Sequence, residues 1–204
     1  MCGVVGFIDS NNRLSSAEAR KHLDLMSKTI VHRGPDSSGE WINEKRGVNL
    51  AHRRLSILDL SEAGHQPMIS FNGRYQISYN GEIYNHLSLR KIIDSEGIPN
   101  KWKGTSDTET LLACFEQFGI ERTLHKVEGM FAMAVWDNKK EKLFLIRDRF
   151  GEKPLYYTSR SLINGFVVFG SELGTLKANP LFPAEIDRDV LFQFMRFGYI
   201  PNSF

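Results

Sequence analysis

The chain has 204 residues, 41% of them hydrophobic and 25% charged, with a formal net charge of +2. This supports one sizeable globular domain with a small appendage, and the near-neutral balance gives no general pull toward nucleic acid or an acidic membrane surface. No apolar stretch approaches the roughly 20 residues that span a bilayer, and two cysteines, Cys2 and Cys114, are too few for a disulfide framework, so reduced thiols in a cytoplasm are the expectation.

The chain opens MCGVVGFID, and residues 3–9 read as a short buried strand. The apolar run over 4–8 stops at Asp9, too short for the core of an export signal. Ser15-Ser16-Ala17-Glu18 is a capping box, with Ala19, Leu23, Met26 and Ile30 following at helical spacing; that helix must end by Gly34-Pro35. Residues 48–59 read as one or two strands, and Tyr75, Ile77 and Tyr79 alternate as a strand does. A short helix over 87–96 is closed by Gly97. A second capping box, Ser106-Asp107-Thr108-Glu109, leads Leu111, Leu112, Phe115 and Phe118 into Gly119, and another helix is expected over 120–128. Residues 130–136 and 143–147 read as a hairpin turning at Asp137-Asn138. Tyr156-Tyr157 and 166–169 continue the strand character, and Asp187 caps a last helix over 190–196. Strands mixed with four or five helices predict an α+β layered fold, mostly antiparallel because several connections are short. Residues 188–200 carry Leu191, Phe192, Phe194, Met195, Phe197, Tyr199 and Ile200, apolar nearly all round. Such a helix predicts that the chain is cut from something longer, or that the segment docks back or dimerises.

Cys2 directly follows the initiator methionine. With Met1 removed, which a small second residue permits, one residue carries a thiol and a free α-amine. The amine titrates near 8 and the thiol near 8.5, so near neutral pH the amine is placed to take the thiol proton. Gly3, lacking a Cβ, would let a substrate come close. Asn80-Gly81 reads two ways. Between alternating strands the pair is a hairpin turn; it also sets an amide side chain beside an unhindered N–H, the two donors a tetrahedral oxyanion needs. His32-Arg33-Gly34-Pro35-Asp36 reads as a helix stop. Arg54 lies at a strand, where within a cleft it would clamp a carboxylate. Asp107 reads as a carboxylate in a helix first turn. The six histidines are scattered without metal-ligand spacing, and neither GxGxxG nor GxxxxGK occurs, so no metal site or nucleotide-phosphate loop is expected.

CGVVGF, HRGPD, RRLSILDL, NGEIYNH, TSDTE, GMFAMAVWD and RDRFGEKPLYY occur in this order. Together they resemble the glutaminase domain of asparagine synthetase, a class II glutamine amidotransferase of the N-terminal-nucleophile hydrolase type, over roughly residues 2–200. The resemblance implies a four-layer αββα sandwich with the cysteine at the end of a central strand. It implies Cys2 as the nucleophile that attacks the glutamine amide, and Asn80 with the Gly81 N–H as the oxyanion hole. Arg54 would pair with the glutamine α-carboxylate, and Glu82 and Asp107 would hold the α-ammonium, with backbone groups of Ile57 and Leu58 nearby. Residues 2–183 would form the glutaminase domain and 184–204 the start of a connection to an ATP-dependent synthetase domain. That domain's Ser-Gly-Gly-x-Asp-Ser loop does not occur here, so ATP and Mg are expected only for it, and none for this chain. Members are often dimers, so a homodimer is a further implied partner. Glu152 stands where the family more often has a small or aliphatic residue, which keeps open a relative serving another acceptor, such as a sugar acid in polysaccharide synthesis. A non-catalytic glutamine-binding module is disfavoured by the intact Cys2 and Asn80-Gly81. A hydrolase of other amides is disfavoured by the zwitterion-matching pair Arg54 and Asp107.

Overall fold

The first strand, β1 (Gly3–Asp9), sends its two faces to different cores. In the computed structural model, which describes residues 1–96, 102–158, 165–182 and 185–201, Val5 and Phe7 pack with Leu23, Met26 and Ile30 of α1 (Ser16–Lys28) or its C-terminal continuation. Val4 and Ile8 face the other way, into a layer with Leu50, Ala134, Trp136 and Phe169. A strand covered on both sides explains why its sequence is a continuous apolar run rather than an alternation.

Two antiparallel sheets result. One runs β2-β3-β1-β9-β8, with β2 (Ser37–Asn43), β3 (Val48–Arg54), β8 (Tyr156–Tyr157) and β9 (Phe166–Gly170). The other runs β4-β5-β6-β7, with β4 (Met68–Ile69), β5 (Tyr75–Ile83), β6 (Gly129–Asp137) and β7 (Lys142–Arg147). Helices α1 and α5 (Leu173–Lys177) cover the outer face of the first sheet. Helices α2 (His86–Ser95) and α3 (Asp107–Phe118) cover that of the second, where Tyr75, Ile77, Tyr79 and Ile83 pack with Leu89, Ile93, Leu111 and Phe115. The layers are therefore α, β, β, α, as expected. A fully buried side chain such as Phe7, Trp136 or Phe169 contributes about 1.5–3 kcal/mol by leaving water.

Several local expectations change. Asn80-Gly81 is not a hairpin turn: β5 runs unbroken from Tyr75 to Ile83, and all nine residues pair with β6. The pairing partners, apolar on both sides of the dipeptide, outweigh its turn preference. The helix expected over 120–128 is one short turn, α4 (Ile120–Leu124), because the chain must turn at His125 to enter β6. The strand over 48–59 ends at Arg54. The first capping box is complete, but the second is half made. Ser106 Oγ accepts from Glu109 N, while the Glu109 carboxylate accepts from Lys103 N and Gly104 N instead. The sequence patterns predict none of β2, β4 and α5. The Gly97 stop lies outside the described residues. The last helix, α6 (Arg188–Phe197), is capped by Asp187 as expected, but it does not dock back: Phe192 and Met195 are 63% and 77% exposed.

Candidate active site

Register places Cys2. Gly3 pairs with Arg53 across β1 and β3, so Cys2 falls opposite Arg54 where both strands leave the sheet. Arg33 Nε donates to the Cys2 carbonyl at 3.0 Å, and its Nη1 donates to Glu172 Oε1 at 3.1 Å, which also meets His32 Nε2 at 3.0 Å. The HRGPD segment thus does more than stop a helix, since it pins the residue that bears the thiol. Cys2 Sγ accepts from Leu55 N at 3.3 Å and donates to Leu55 O at 3.5 Å. Burial pushes its thiol above the ordinary value. The Leu55 N–H, the N-terminal ammonium and Arg54 oppose that, and Asp107 adds to it. Cys114 is fully buried in the second core and its thiol is pushed up to about 12 by desolvation, so it is inert beside Cys2. Gly3 does not admit a substrate: a Cβ there would meet Ile30 Cδ1 at 2.6 Å, on the α1 side.

The second sheet supplies the facing wall. Ser78 Oγ donates to Ala51 O at 3.0 Å, and His52 Nε2 meets Tyr79 O at 2.9 Å. These bonds bolt β5 to β3 across the sandwich. The acceptor on β5 requires Nε2 to carry the proton, and burial lowers the His52 pKa to about 3, so the ring is neutral. Directly after this bolt comes Asn80. Its side chain is 2% exposed, lines the cleft, and its Nδ2 has no protein partner. Tyr79 N donates to Gln66 Oε1 at 2.7 Å and Ile83 N to Asp107 Oδ2 at 2.9 Å. N–H groups two residues apart on a strand leave the same edge, so the Gly81 N–H points from that edge too, and Gly81 lines the cleft.

The charged groups come next. Arg54 donates Nη1 to Ser61 O at 2.9 Å and Nη2 to Asp59 O. Glycine at 64 leaves room for this guanidinium, since a Cβ there would push Nη2 aside. Asp59 holds the loop itself. Its Oδ1 accepts from Ser61 N and Oγ, its Oδ2 from Thr105 N, and the Ser61 hydroxyl above all lowers its pKa to about 2. Asp107 is the first residue of α3, yet its carboxylate turns to β5, where Oδ2 accepts from Tyr79 OH at 2.7 Å. Ile57 and Leu58 are exposed on the loop after β3, and Glu82 lies at the end of β5.

Cys2, Arg54, Ile57, Leu58, Asn80, Gly81, Glu82 and Asp107 all line one cleft of about 110 Å³. These eight residues offer a thiol, the Asn80 and Gly81 amide donors, one guanidinium, and two carboxylates. That pattern suits a small zwitterion carrying a carbonyl. Gln66, Tyr79, Asp59 and Lys153 also shape the cleft and were not singled out from sequence. Tyr79 adjoins the Asn80-Gly81 motif and Lys153 lies within RDRFGEKPLYY, so position in the motifs was the available signal. Glu152 is exposed and contributes its N–H to Asp148 Oδ1 rather than a side chain to the cleft. Among the described residues no group of three or more His, Cys, Asp and Glu is placed to hold a metal, and no helix is long and apolar enough to cross a membrane.

Comparison with known proteins gives the family of the chain. The family model described as a glutamine amidotransferase domain matches residues 1–204. Asparagine synthetase [glutamine-hydrolyzing] 1 of Bacillus subtilis is 39% identical over 204 residues, covering 99% of this chain and 30% of its own length. A putative asparagine synthetase of Methanocaldococcus jannaschii is 34% identical, over 100% of this chain and 41% of its own. Amidase chry2 of Gibberella zeae is 34% identical, over 84% and 27%. The chain therefore spans well under half the length of these curated relatives. Among solved structures, glutamine phosphoribosylpyrophosphate amidotransferase from B. subtilis superposes with a TM-score of 0.66 at 17% identity, over 87% of this chain and 43% of that one, so the two share a fold.

Proposed function

The chain belongs to the glutamine amidotransferase domain family, in the branch of asparagine synthetase-like proteins, and from that premise we propose that it hydrolyses glutamine to glutamate and ammonia through a thioester on Cys2. The observation that carries this reading is the buried Asn80 Nδ2, a donor with no protein partner, in the same cleft as the Cys2 thiol. An orphaned buried amide costs stability, and an oxyanion beside Cys2 is the acceptor that would complete it.

Glutamine enters with its α-carboxylate toward Arg54 and its α-ammonium toward Asp107 and Glu82, with backbone groups of Ile57 and Leu58 at the rim. Met1 is removed, and the Cys2 α-amine takes the thiol proton. The sulfur attacks the side-chain carbonyl carbon. Negative charge gathers on the carbonyl oxygen, where Asn80 Nδ2 and the Gly81 N–H receive it. The amine returns its proton to the leaving nitrogen, ammonia departs, and water then attacks the thioester to release glutamate. Residues 2–183 form this glutaminase unit and residues from 184 begin the link to a synthetase part. There ATP and magnesium would activate aspartate to receive the ammonia. A homodimer remains part of the same proposal.

The test is glutamate release from glutamine by protein whose intact mass shows Met1 removed, alone and joined to its synthetase part. Turnover that vanishes in Cys2→Ala is expected. Turnover that survives Cys2→Ala, or a Cys2 terminus that turns over no glutamine in either form, overturns the reading.

A further inference from the structure

We infer that Lys153 tunes the terminal amine of Cys2, an inference that rests on reading Cys2 as an N-terminal nucleophile. The local fold uses only the backbone of Lys153. Its N–H donates to Asp148 Oδ2 at 2.9 Å and its carbonyl accepts from Arg147 Nε at 2.6 Å. A different side chain at 153 leaves both bonds in place. The side chain goes elsewhere. The residue is 8% exposed and lines the catalytic cleft, and its Nζ meets Met1 Sδ at 3.5 Å. Among the described residues no carboxylate lies within 4.0 Å of it. Burying an ammonium against a thioether costs stability and returns little, so the fold alone does not account for it.

Met1 leaves when Cys2 becomes the first residue, and the cation then faces the new amine. The Met1 sulfur and Cys2 N are at most about 7 Å apart along the chain, so Lys153 Nζ stands within about 10 Å of that nitrogen. Most of the other charged groups around it have partners, Asp59 among them through Ser61 and Thr105 N. Arg33, 4.0 Å from the same sulfur, pairs with Glu172. Arg54 is held by the Asp59 and Ser61 carbonyls, and Asp107 by Tyr79 and Ile83 N. Asp148 is taken up by the N–H groups of Phe131, Phe150, Glu152 and Lys153. His52 is neutral, and Glu82, at the end of β5, lines the same cleft without an ion pair to Lys153 within 4.0 Å. Among the described residues Lys153 is a cation of this cleft with no carboxylate within 4.0 Å of its Nζ.

A nearby cation disfavours an ammonium and favours a thiolate. Lys153 therefore leaves more of the amine free at neutral pH to accept the Cys2 proton. The proton passes from Sγ to the amine, and no other reactant is involved. The amine and thiol titrate as a coupled pair, and the first proton lost from that pair moves to lower pH.

The measurement is the pH dependence of Cys2 alkylation by iodoacetamide, on protein whose intact mass shows Met1 removed. Cys114 is fully buried, so the reaction reports Cys2. In Lys153→Met the midpoint should rise by roughly 0.3–1 pH unit, while Lys153→Arg keeps the wild-type midpoint. Should Lys153→Met fail to fold by circular dichroism, Lys153→Gln provides the same neutral comparison. An unchanged midpoint in a folded neutral variant overturns the inference. The acid limb of kcat/KM for glutamine should move the same way. If wild-type protein turns over no glutamine, alone or joined to its synthetase part, the proposed function fails, while the alkylation midpoint still decides the influence of Lys153.

Discussion

Tyr79 donates its hydroxyl to Asp107 Oδ2 at 2.7 Å, joining the strand that carries Asn80 to the first turn of α3. Burial and the Asp107 charge hold the Tyr79 phenol well above its ordinary pKa, so it stays a donor. Tyr79→Phe removes one bond to a charged acceptor. It should destabilise the fold by about 1.5–3 kcal/mol and raise KM for glutamine several-fold, read by urea unfolding and steady-state kinetics. Wild-type stability together with wild-type KM would separate this pair from the substrate site.

Asn80→Ala takes away a side-chain donor in a pocket that has already paid its desolvation. The expected loss is about 10²–10³ in kcat, with KM within a few-fold of wild type. A large rise in KM at unchanged kcat would contradict the oxyanion role.

Arg54→Ala should weaken glutamine binding strongly, with KM rising about a hundredfold, on the scale of one lost charged partner. Gly64→Ala makes the same point from a distance. Its methyl displaces Nη2 of Arg54, so KM should rise with the guanidinium still in the chain. If Gly64→Ala binds glutamine normally, the placement of Arg54 is not what sets affinity.

His52 gives the fold an acid sensitivity. Its folded pKa, about 3, lies below the unfolded value near 6.5 because burial disfavours the imidazolium. The unfolded state therefore takes the proton first. Stability from this group is complete above about pH 6.5 and falls by about 1.4 kcal/mol per unit as pH drops toward 3. His52→Gln lacks the titrating group, so urea midpoints of the two proteins should converge between pH 7 and 4. Parallel pH profiles would show that His52 is not the source.

Local chemistry settled most of the elements. The Ser15 box starts α1, Ser106 starts α3, Asp187 starts α6, and apolar runs mark β1, β6 and β9. These signals act within a few residues, where propensity and capping decide. The motifs named the candidate site residues, but position along the chain did not show how they meet.

Tertiary structure decided the rest. Asn80-Gly81 is strand rather than turn because β6 pairs along its whole length. The second capping box is incomplete because Glu109 finds backbone donors at Lys103 and Gly104. Cys2 stands beside Arg54 because Gly3 pairs with Arg53, and Asn80 faces them because Ser78 and His52 tie the two sheets together. Such pairings join residues tens of positions apart. Their strength comes from burial and hydrogen bonds that exist only once both sheets are in place. The sequence by itself named the candidate groups, and packing determined that they share one cleft of about 110 Å³.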